Sequence, residues 1–349
     1  MKNAQKAKEF LTRRKLLVRG KSLKKRGGFI YFPLSKTPSQ KPSFECSYLQ
    51  AEFKSRAQQQ DLKTALKNSG KFSGKELEAL VSSFDTVGDM VLIDVPKELE
   101  KREKLIAKTI LASNNHVKVV AKKKSAMRGK YRVRKMQVVA GEKRTSTIYK
   151  ESGCRFHLDL AQVYFSPRLS FERLRVARLV KPNKNVLVLF AGVGPFAIVI
   201  AKKQPSAKVR GIELNPKAVK FFKKNVAVNK MQDNLEVIEG DVNNVSMKLK
   251  NWADYISMPL PHTATDFLDA AFAAARKGCI ITFYGFERTD GKKEAYFDGA
   301  ENRVLVSPVL DRIKGACKKN KKKCRILNKR QVKTYAPYVV QVAVDFKVL

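Results

Sequence analysis

From about residue 166 onward, short apolar runs alternate with stretches whose apolar positions recur every three or four residues. Short runs rich in branched aliphatic residues read as buried strands, and the 3.6-residue rhythm reads as helix. The pattern predicts strands over Asn185–Phe190, Lys208–Leu214, Leu235–Glu239, Trp252–Ser257 and Gly278–Tyr284. It predicts helices over Pro195–Lys203, Pro216–Asn229 and Thr265–Arg276. This alternation is the mark of a mostly parallel, doubly wound sheet, a Rossmann-like α/β domain. The closing run Tyr338–Leu349 predicts one more strand, with Ile326–Lys333 as its hairpin partner.

The preceding chain has a different rhythm. Phe84–Asp94 predicts two strands around a turn, and Lys97–Ala112 a helix opened by Pro96. Further strands are predicted at Val117–Ala121, Thr145–Tyr149 and Cys154–Leu160, with a basic, Tyr-containing stretch at Arg128–Lys135. Together these predict a mixed α+β domain over 75–165. Residues 1–65 predict a smaller basic domain: a helix over Ala4–Leu17, a Gly27–Gly28 turn and a strand over Phe29–Leu34. The Ser-, Gln-, Lys- and Pro-rich stretch 35–75 reads as the end of that domain and a linker, leaving 166–349 as the α/β domain.

Charge changes this picture most. The chain has 349 residues, enough for two or three domains, and its 72 Lys and Arg against 31 Asp and Glu give a net charge of +41. A compact chain at that charge repels itself unless an anionic partner offsets the field, and nucleic acid is the usual partner. A Lys-rich thermophilic surface, a membrane-surface protein and a non-enzymatic ribosomal role compete with that reading. Five cysteines at no C-x-x-C spacing and three histidines indicate neither a disulfide framework nor a metal site. No apolar run approaches a membrane span, and no apolar core follows the basic start, so a cytoplasmic protein is expected. No protein partner is implied, and a monomer is expected.

The candidate cofactor site lies in Val186–Phe196, a buried strand running into Phe190-Ala-Gly-Val-Gly-Pro-Phe196 and a helix. Gly192 and Gly194 allow a sharp turn and close approach of a ligand, and the helix opening at Pro195 points N–H groups toward it. Glu213, about 20 residues on at a strand end, can accept both ribose hydroxyls of an adenosine. The third glycine of a pyrophosphate-binding turn is missing, and Asp241 past the third strand suits an adenine amine. Adenosine without pyrophosphate points to S-adenosylmethionine; the bland reading is a packing turn.

The Phe190–Phe196 turn, Glu151-Ser-Gly-Cys-Arg-Phe156, Val163-Tyr-Phe-Ser-Pro-Arg-Leu169, Glu172-Arg173 and Lys333-Thr-Tyr-Ala-Pro337 together resemble a known family. It is that of the archaeal and eukaryotic class I methyltransferases acting on guanine N1 at tRNA position 37. Its relatives include the aminocarboxypropyl transferases of the wybutosine pathway. The resemblance implies tRNA as substrate, Phe190, Gly192, Gly194, Phe196, Glu213, Asp241 and the Pro259 carbonyl around the cofactor, and Glu172 as general base. It also implies Arg132 stabilising charge on O6, with Arg128 and Arg134 as neighbouring alternatives, and Tyr164 shaping the pocket. Guanine N1 carries a proton, so a base beside it and a cation near O6 are what the chemistry requires. Asp159 is the next candidate base.

Two positions depart from the pattern: Val188 replaces the family's Asp, and Ser257-Met-Pro-Leu-Pro-His262 replaces its Asn-Leu-Pro, leaving Pro259 with no side-chain amide. The second departure resembles an archaeal subtype that also methylates a tricyclic wyosine precursor. Aminocarboxypropyl transfer, and a non-catalytic RNA-binding protein with a vestigial domain, are the alternatives. A cytosine-C5 enzyme is not expected, because no Cys follows Pro in the 257–262 loop.

The basic N-terminal segment, with Arg13, Arg14, Lys15, Lys24, Lys25 and Arg26, is expected to contact tRNA away from the reacting base. Deleting residues 1–65 should weaken tRNA binding and flatten its salt dependence while cofactor binding persists. A truncated chain with unchanged affinity and salt slope would show that charge to be an ordinary solvated surface.

Overall fold

The computed structural model describes residues 4–14, 16–18, 23–26, 29–39, 42, 46–49, 51, 62–80, 84–125, 129–260, 264–288 and 307–349. The chain forms two compact units, Met1–Leu80 with Ala112–Asn115, and Val81–Leu111 with His116–Leu349. The first holds α1 (Ala4–Arg13), β1 (Lys24–Arg26), β2 (Phe29–Tyr31), α2 (Leu62–Asn68) and α3 (Gly74–Ala79). Helix α1 stops short of the predicted Leu17, because Leu17 leaves the helix to bridge Leu34. β1 and β2 pair antiparallel, with Arg26 opposite Phe29; the predicted Gly27–Gly28 turn between them lies outside the described residues, as does Lys15. Part of the stretch read as linker is helical instead. Ser73 and Glu76 form a reciprocal capping box at the start of α3, the S-x-x-E signature of a helix opening. The expected boundary at 65 falls inside α2, and the compact unit continues to Leu80.

In the second unit, β3 (Asp85–Val87), β4 (Met90–Ile93), β5 (Val119–Lys123) and β6 (Met136–Gly141) form a four-stranded sheet in that order. A 3-10 segment, Lys97–Arg102, leads into α4 (Glu103–Ser113), where a single helix is predicted. These precede the hairpin of β7 (Ser146–Glu151) and β8 (Cys154–Asp159).

After α5 (Ser170–Leu179) comes the doubly wound sheet: β9 (Asn185–Val188), α6 (Pro195–Lys203), β10 (Lys208–Glu213), α7 (Pro216–Val228), β11 (Leu235–Glu239), α8 (Val242–Lys248), β12 (Ala253–Met258), α9 (Leu268–Ala274), β13 (Ala275–Arg288), α10 (Ser307–Lys319), β14 (Cys324–Ala336) and β15 (Val339–Val348). Its order is β11-β10-β9-β12-β13-β15-β14. The first five strands are parallel, and β15 runs antiparallel to both β13 and β14. Alternation along β9 divides the core. Val186 and Val188 pack with residues of α5, α6 and α7, whereas Leu187 joins α8, α9 and α10 on the opposite face. The predicted Thr265–Arg276 helix is shorter: a 3-10 turn, Ala264–Phe267, precedes it, and Ala275 already pairs with Ala253 as strand.

Helix α7 also braces the hairpin. The Asn225 Oδ1 accepts the His157 N–H at 2.7 Å, and its Nδ2 donates to the carbonyls of His157 and Val193, both at 3.0 Å. One turn on, Asn229 meets the Arg155 N–H and C=O in the same way. Two side chains at helical spacing thus satisfy alternate residues of a strand edge, as a neighbouring strand would. Asn225→Ala strands three main-chain groups and should cost about 3 kcal/mol or more, read by urea unfolding. Asn229→Ala, at the more exposed end, should cost less than half as much; equal losses would remove the distinction.

Candidate functional site

The strand order reverses at β9, whose neighbours β10 and β12 lead the chain to opposite edges of the sheet. Ligands of open α/β sheets bind at such a switch point, outside the carboxyl ends of the strands. Phe190, Gly192, Gly194 and Phe196 follow β9, Glu213 ends β10, Asp241 follows β11 and Pro259 follows β12. Topology therefore gathers all seven candidate cofactor positions along one end of four adjacent strands. His262 and Pro261, quoted with Pro259 as one loop, lie outside the described residues.

The turn after β9 is tight and strained. Phe190 has φ 56, a left-handed value unusual for an aromatic residue, and its ring packs edge-on against Phe267 with centroids 4.8 Å apart. Gly192 and Gly194 have φ 59 and 87, but their roles differ. A Cβ on Gly194 would lie 2.1 Å from the Phe222 ring, so packing against α7 demands this glycine. A Cβ on Gly192 would meet nothing nearer than the Tyr164 carbonyl oxygen at 3.9 Å. Of the two glycines expected to admit a ligand, Gly192 thus has open space at its Cβ position and Gly194 does not. Helix α6 follows its N-cap Gly194 with no side-chain cap hydrogen bond.

Glu213 closes this turn from β10. Its Oε2 accepts the Gly192 N–H at 2.7 Å and its Oε1 the Asn215 N–H at 2.8 Å. Each oxygen keeps a further lone pair, the acceptor set that a ribose diol needs. Burial pushes the Glu213 carboxyl above its ordinary value, opposed by these main-chain N–H groups. Asp241 is the N-cap of α8, accepting the Asn243 N–H at 2.8 Å. It sits beside Glu213 through the register of β10 and β11, and the Gly240 N–H donates to the Glu213 carbonyl.

Tyr164 is half-exposed and Arg132, at φ 53, is partly buried beside it and Tyr335. Burial pushes the Arg132 guanidinium down, against the two phenols. Burial pushes the Tyr164 phenol up, opposed by a hydrogen bond with Ser166 and by Arg134, Arg132 and Arg173. Of the alternatives to Arg132, Arg134 therefore lies close to Tyr164, and Arg128 lies outside the described residues. Asp159 is committed to the hairpin end, accepting from Thr145, Ala161 and Gln162.

The motif pieces between 151 and 173 meet in space. The Arg173 guanidinium, 1% exposed, forks onto both Glu151 oxygens, donates to the Ser166 carbonyl at 3.1 Å, and lies over the Phe165 and Phe196 rings. Glu172 is also buried, 2% exposed, and ion-paired rather than free. Arg175 donates through Nε and Nη2, Arg330 through Nη1 at 3.0 Å, and the Tyr284 hydroxyl at 2.8 Å. Arg175 reaches on to both oxygens of Asp345, which also accepts from Thr282. Tyr284 packs against Phe196, joining this cluster to the first turn of α6. Reading the sequence missed Arg175, Tyr284, Arg330 and Asp345; the i,i+3 spacing of Glu172 and Arg175 was the available signal.

Comparison with known proteins fits this geometry. Residues 147–327 match the TRM5/TYW2 methyltransferase domain, and residues 62–145 match the TYW2 N-terminal domain. A protein of Pyrococcus abyssi called tRNA (guanine(37)-N(1))-methyltransferase Trm5b is 37% identical over 77% of this chain and 76% of its own. Its namesake in Methanocaldococcus jannaschii is 32% identical over 99% of this chain and 96% of its own. A solved complex of aTrm5 and tRNALeu is 31% identical, with a TM-score of 0.69, covering 100% of this chain and 98% of that one. A methyltransferase domain matched over half the chain, and likeness along nearly all of it, place this protein in the TRM5/TYW2 methyltransferase family.

Proposed function

We infer that this protein transfers a methyl group from S-adenosylmethionine to N1 of the guanine at tRNA position 37. The observation that carries the reading is the grouping at the switch point, where the open Gly192 turn and the Glu213 carboxylate stand beside Tyr164 and Arg132. The residues fit the cofactor: Gly192 leaves space that a Cβ would fill, and Glu213 retains acceptors for both ribose hydroxyls. When bound, S-adenosylmethionine supplies an electrophilic methyl carbon on a sulfonium. Phe190, Phe196 and the first turn of α6 would flank it, with Asp241 toward the adenine amine and the Pro259 carbonyl at the β12 end.

The protein's own part is to prepare the base. Glu172 takes the N1 proton, so that the bonding pair stays on nitrogen as a nucleophilic lone pair. Arg132 offers a planar set of donors to O6, where negative charge develops. Tyr164 bounds the base on the Gly192 side. The protein acts as a monomer, and its +41 charge serves the polyanionic substrate. Pro259, which lacks a side-chain amide, favours a second reading, methylation of a tricyclic wyosine precursor as well. Incubating the chain with a tRNA transcript bearing guanine 37 and mapping product masses tests both. A mass gain of one methyl at guanine 37 supports the first, whereas modification of a preformed tricyclic base alone narrows it. Addition of an aminocarboxypropyl group overturns it.

The cofactor site should respond to two changes. Gly192→Val should block S-adenosylmethionine while the chain stays folded, at a backbone cost of roughly 1–2 kcal/mol. Glu213→Gln should weaken cofactor binding by about 10- to 100-fold. In the wild type, lowering the pH protonates Glu213 and should weaken binding, starting above the pH at which an exposed carboxylate titrates, because burial raises Glu213. Calorimetric titration across pH reads all three, and a Glu213→Gln affinity equal to wild type would remove Glu213 from the site.

Glu172→Gln keeps the shape but loses the proton acceptor. The single-turnover rate should fall on the order of 10²- to 10⁴-fold with tRNA affinity held. Arg132→Lys should retain more rate than Arg132→Ala. A Glu172→Gln enzyme with normal rate and pH profile would place the base elsewhere.

A further inference from the structure

The Glu172 carboxylate is fully engaged in the free chain. Its Oε1 accepts from Arg175 Nε and Nη2 and from the Tyr284 hydroxyl, and its Oε2 accepts from Arg175 Nε and Arg330 Nη1. A base in this condition has no lone pair directed at a substrate, so one partner must leave before a proton can arrive.

The partners differ in freedom. Arg175, on the same helix as Glu172, is forked between two carboxylates, and moving it would release Glu172 and Asp345 together. Tyr284 comes from β13 and is 1% exposed, so its hydroxyl has no path outward. Arg330 comes from β14, holds Glu172 by one hydrogen bond, and keeps 27% of its side chain exposed. Its guanidinium lies 6.0 Å from the Phe171 ring centroid, and Phe171 is 69% exposed. Of these three donors it is the one that can swing to solvent without breaking the core.

We propose that Arg330 is a displaceable counter-ion of Glu172, a positioning residue that holds the proton-accepting Oε2 until a purine N–H takes its place. This rests on the reading of Glu172 as the base. In the exchange, the N1–H proton passes to Glu172 Oε2, the N–H pair stays on nitrogen, and Arg330 remains a cation throughout. Entry of the purine therefore frees the lone pair that takes its proton, so the carboxylate is open to a proton only when occupied.

The test separates free from occupied enzyme. The acid limb of kcat/KM against pH reports the free enzyme, and that of the saturated single-turnover rate reports the complex. Arg175, Arg330, Tyr284 and, through Arg175, Asp345 face Glu172 from α5, β14, β13 and β15. Arg330→Gln removes the movable cation from the free enzyme, so the kcat/KM limb should move to higher pH by about one unit. The saturated limb should move by less than half of that, because Arg330 has already left. Arg330→Lys should restore most of the kcat/KM limb. A readout free of turnover is the side-chain N–H exchange of Arg330 in ¹⁵N-arginine protein, slow in the free chain and fast once tRNA binds. Coincident movement of both limbs, no movement of either, or protection that persists in the complex overturns the proposal. Glu172→Gln run alongside isolates the underlying reading: an unchanged rate and profile there would dismiss Glu172 as base, whatever Arg330 does.

Discussion

A buried chain of charge, Asp345–Arg175–Glu172, fixes the relation between the helix that precedes the cofactor strand and the antiparallel strands that close the sheet. Charges removed from water are tolerated only when every one is paired and hydrogen-bonded. Here the supporting groups are buried too: Thr282 donates to Asp345 and contacts the Tyr255 hydroxyl, and Tyr284 donates to Glu172. Removing Arg175 would leave the Asp345 carboxylate without its counter-ion in the interior, so α5 has one docking geometry against β13 and β15. The candidate base accordingly sits on a rigid helix, placed by electrostatics that extend across the sheet.

The parallel core was legible because its central strands β9 and β12 are buried along most of their length and α7 buries one face, with Ala218, Val219, Phe222 and Val226 on it. Leu235–Glu239 and Pro195–Lys203 fall where the pattern predicts. Helix α5 was not legible as a helix. Its buried face carries Glu172 and Arg173 beside Val176 and Ala177, so no apolar stripe marks it. The helices at 62–79 hid in a polar composition that resembles a linker, although Ser73 and Glu76 spelled a helix start. Helix ends suffered from competing pairings, as where Ala275 joins β12 and Leu17 joins Leu34.

The cofactor end of the site was more readable than the substrate end. Glycines, a following helix and a carboxylate one strand away are local features at fixed spacing, and the structure gathers them at one end of the sheet. The surroundings of Glu172 come from segments up to 170 residues apart, and side-chain pairing over such a span leaves no periodic trace. Even within the readable part, Gly192 and Gly194 look alike in sequence. Only the position of Phe222 shows that one serves packing and the other space.

The asparagines of α7 carry a consequence for assembly. A two-stranded hairpin is marginal alone, and an open strand edge invites pairing with another chain. By meeting the N–H and C=O of both Arg155 and His157, Asn225 and Asn229 seal the edge of β8 against intermolecular pairing. Because Asn225 also holds the Val193 carbonyl in the turn after β9, the seal and the cofactor loop share one anchor. Loosening the hairpin would therefore expose an adhesive edge and slacken the binding loop in the same event, tying solubility to ligand affinity through a single side chain.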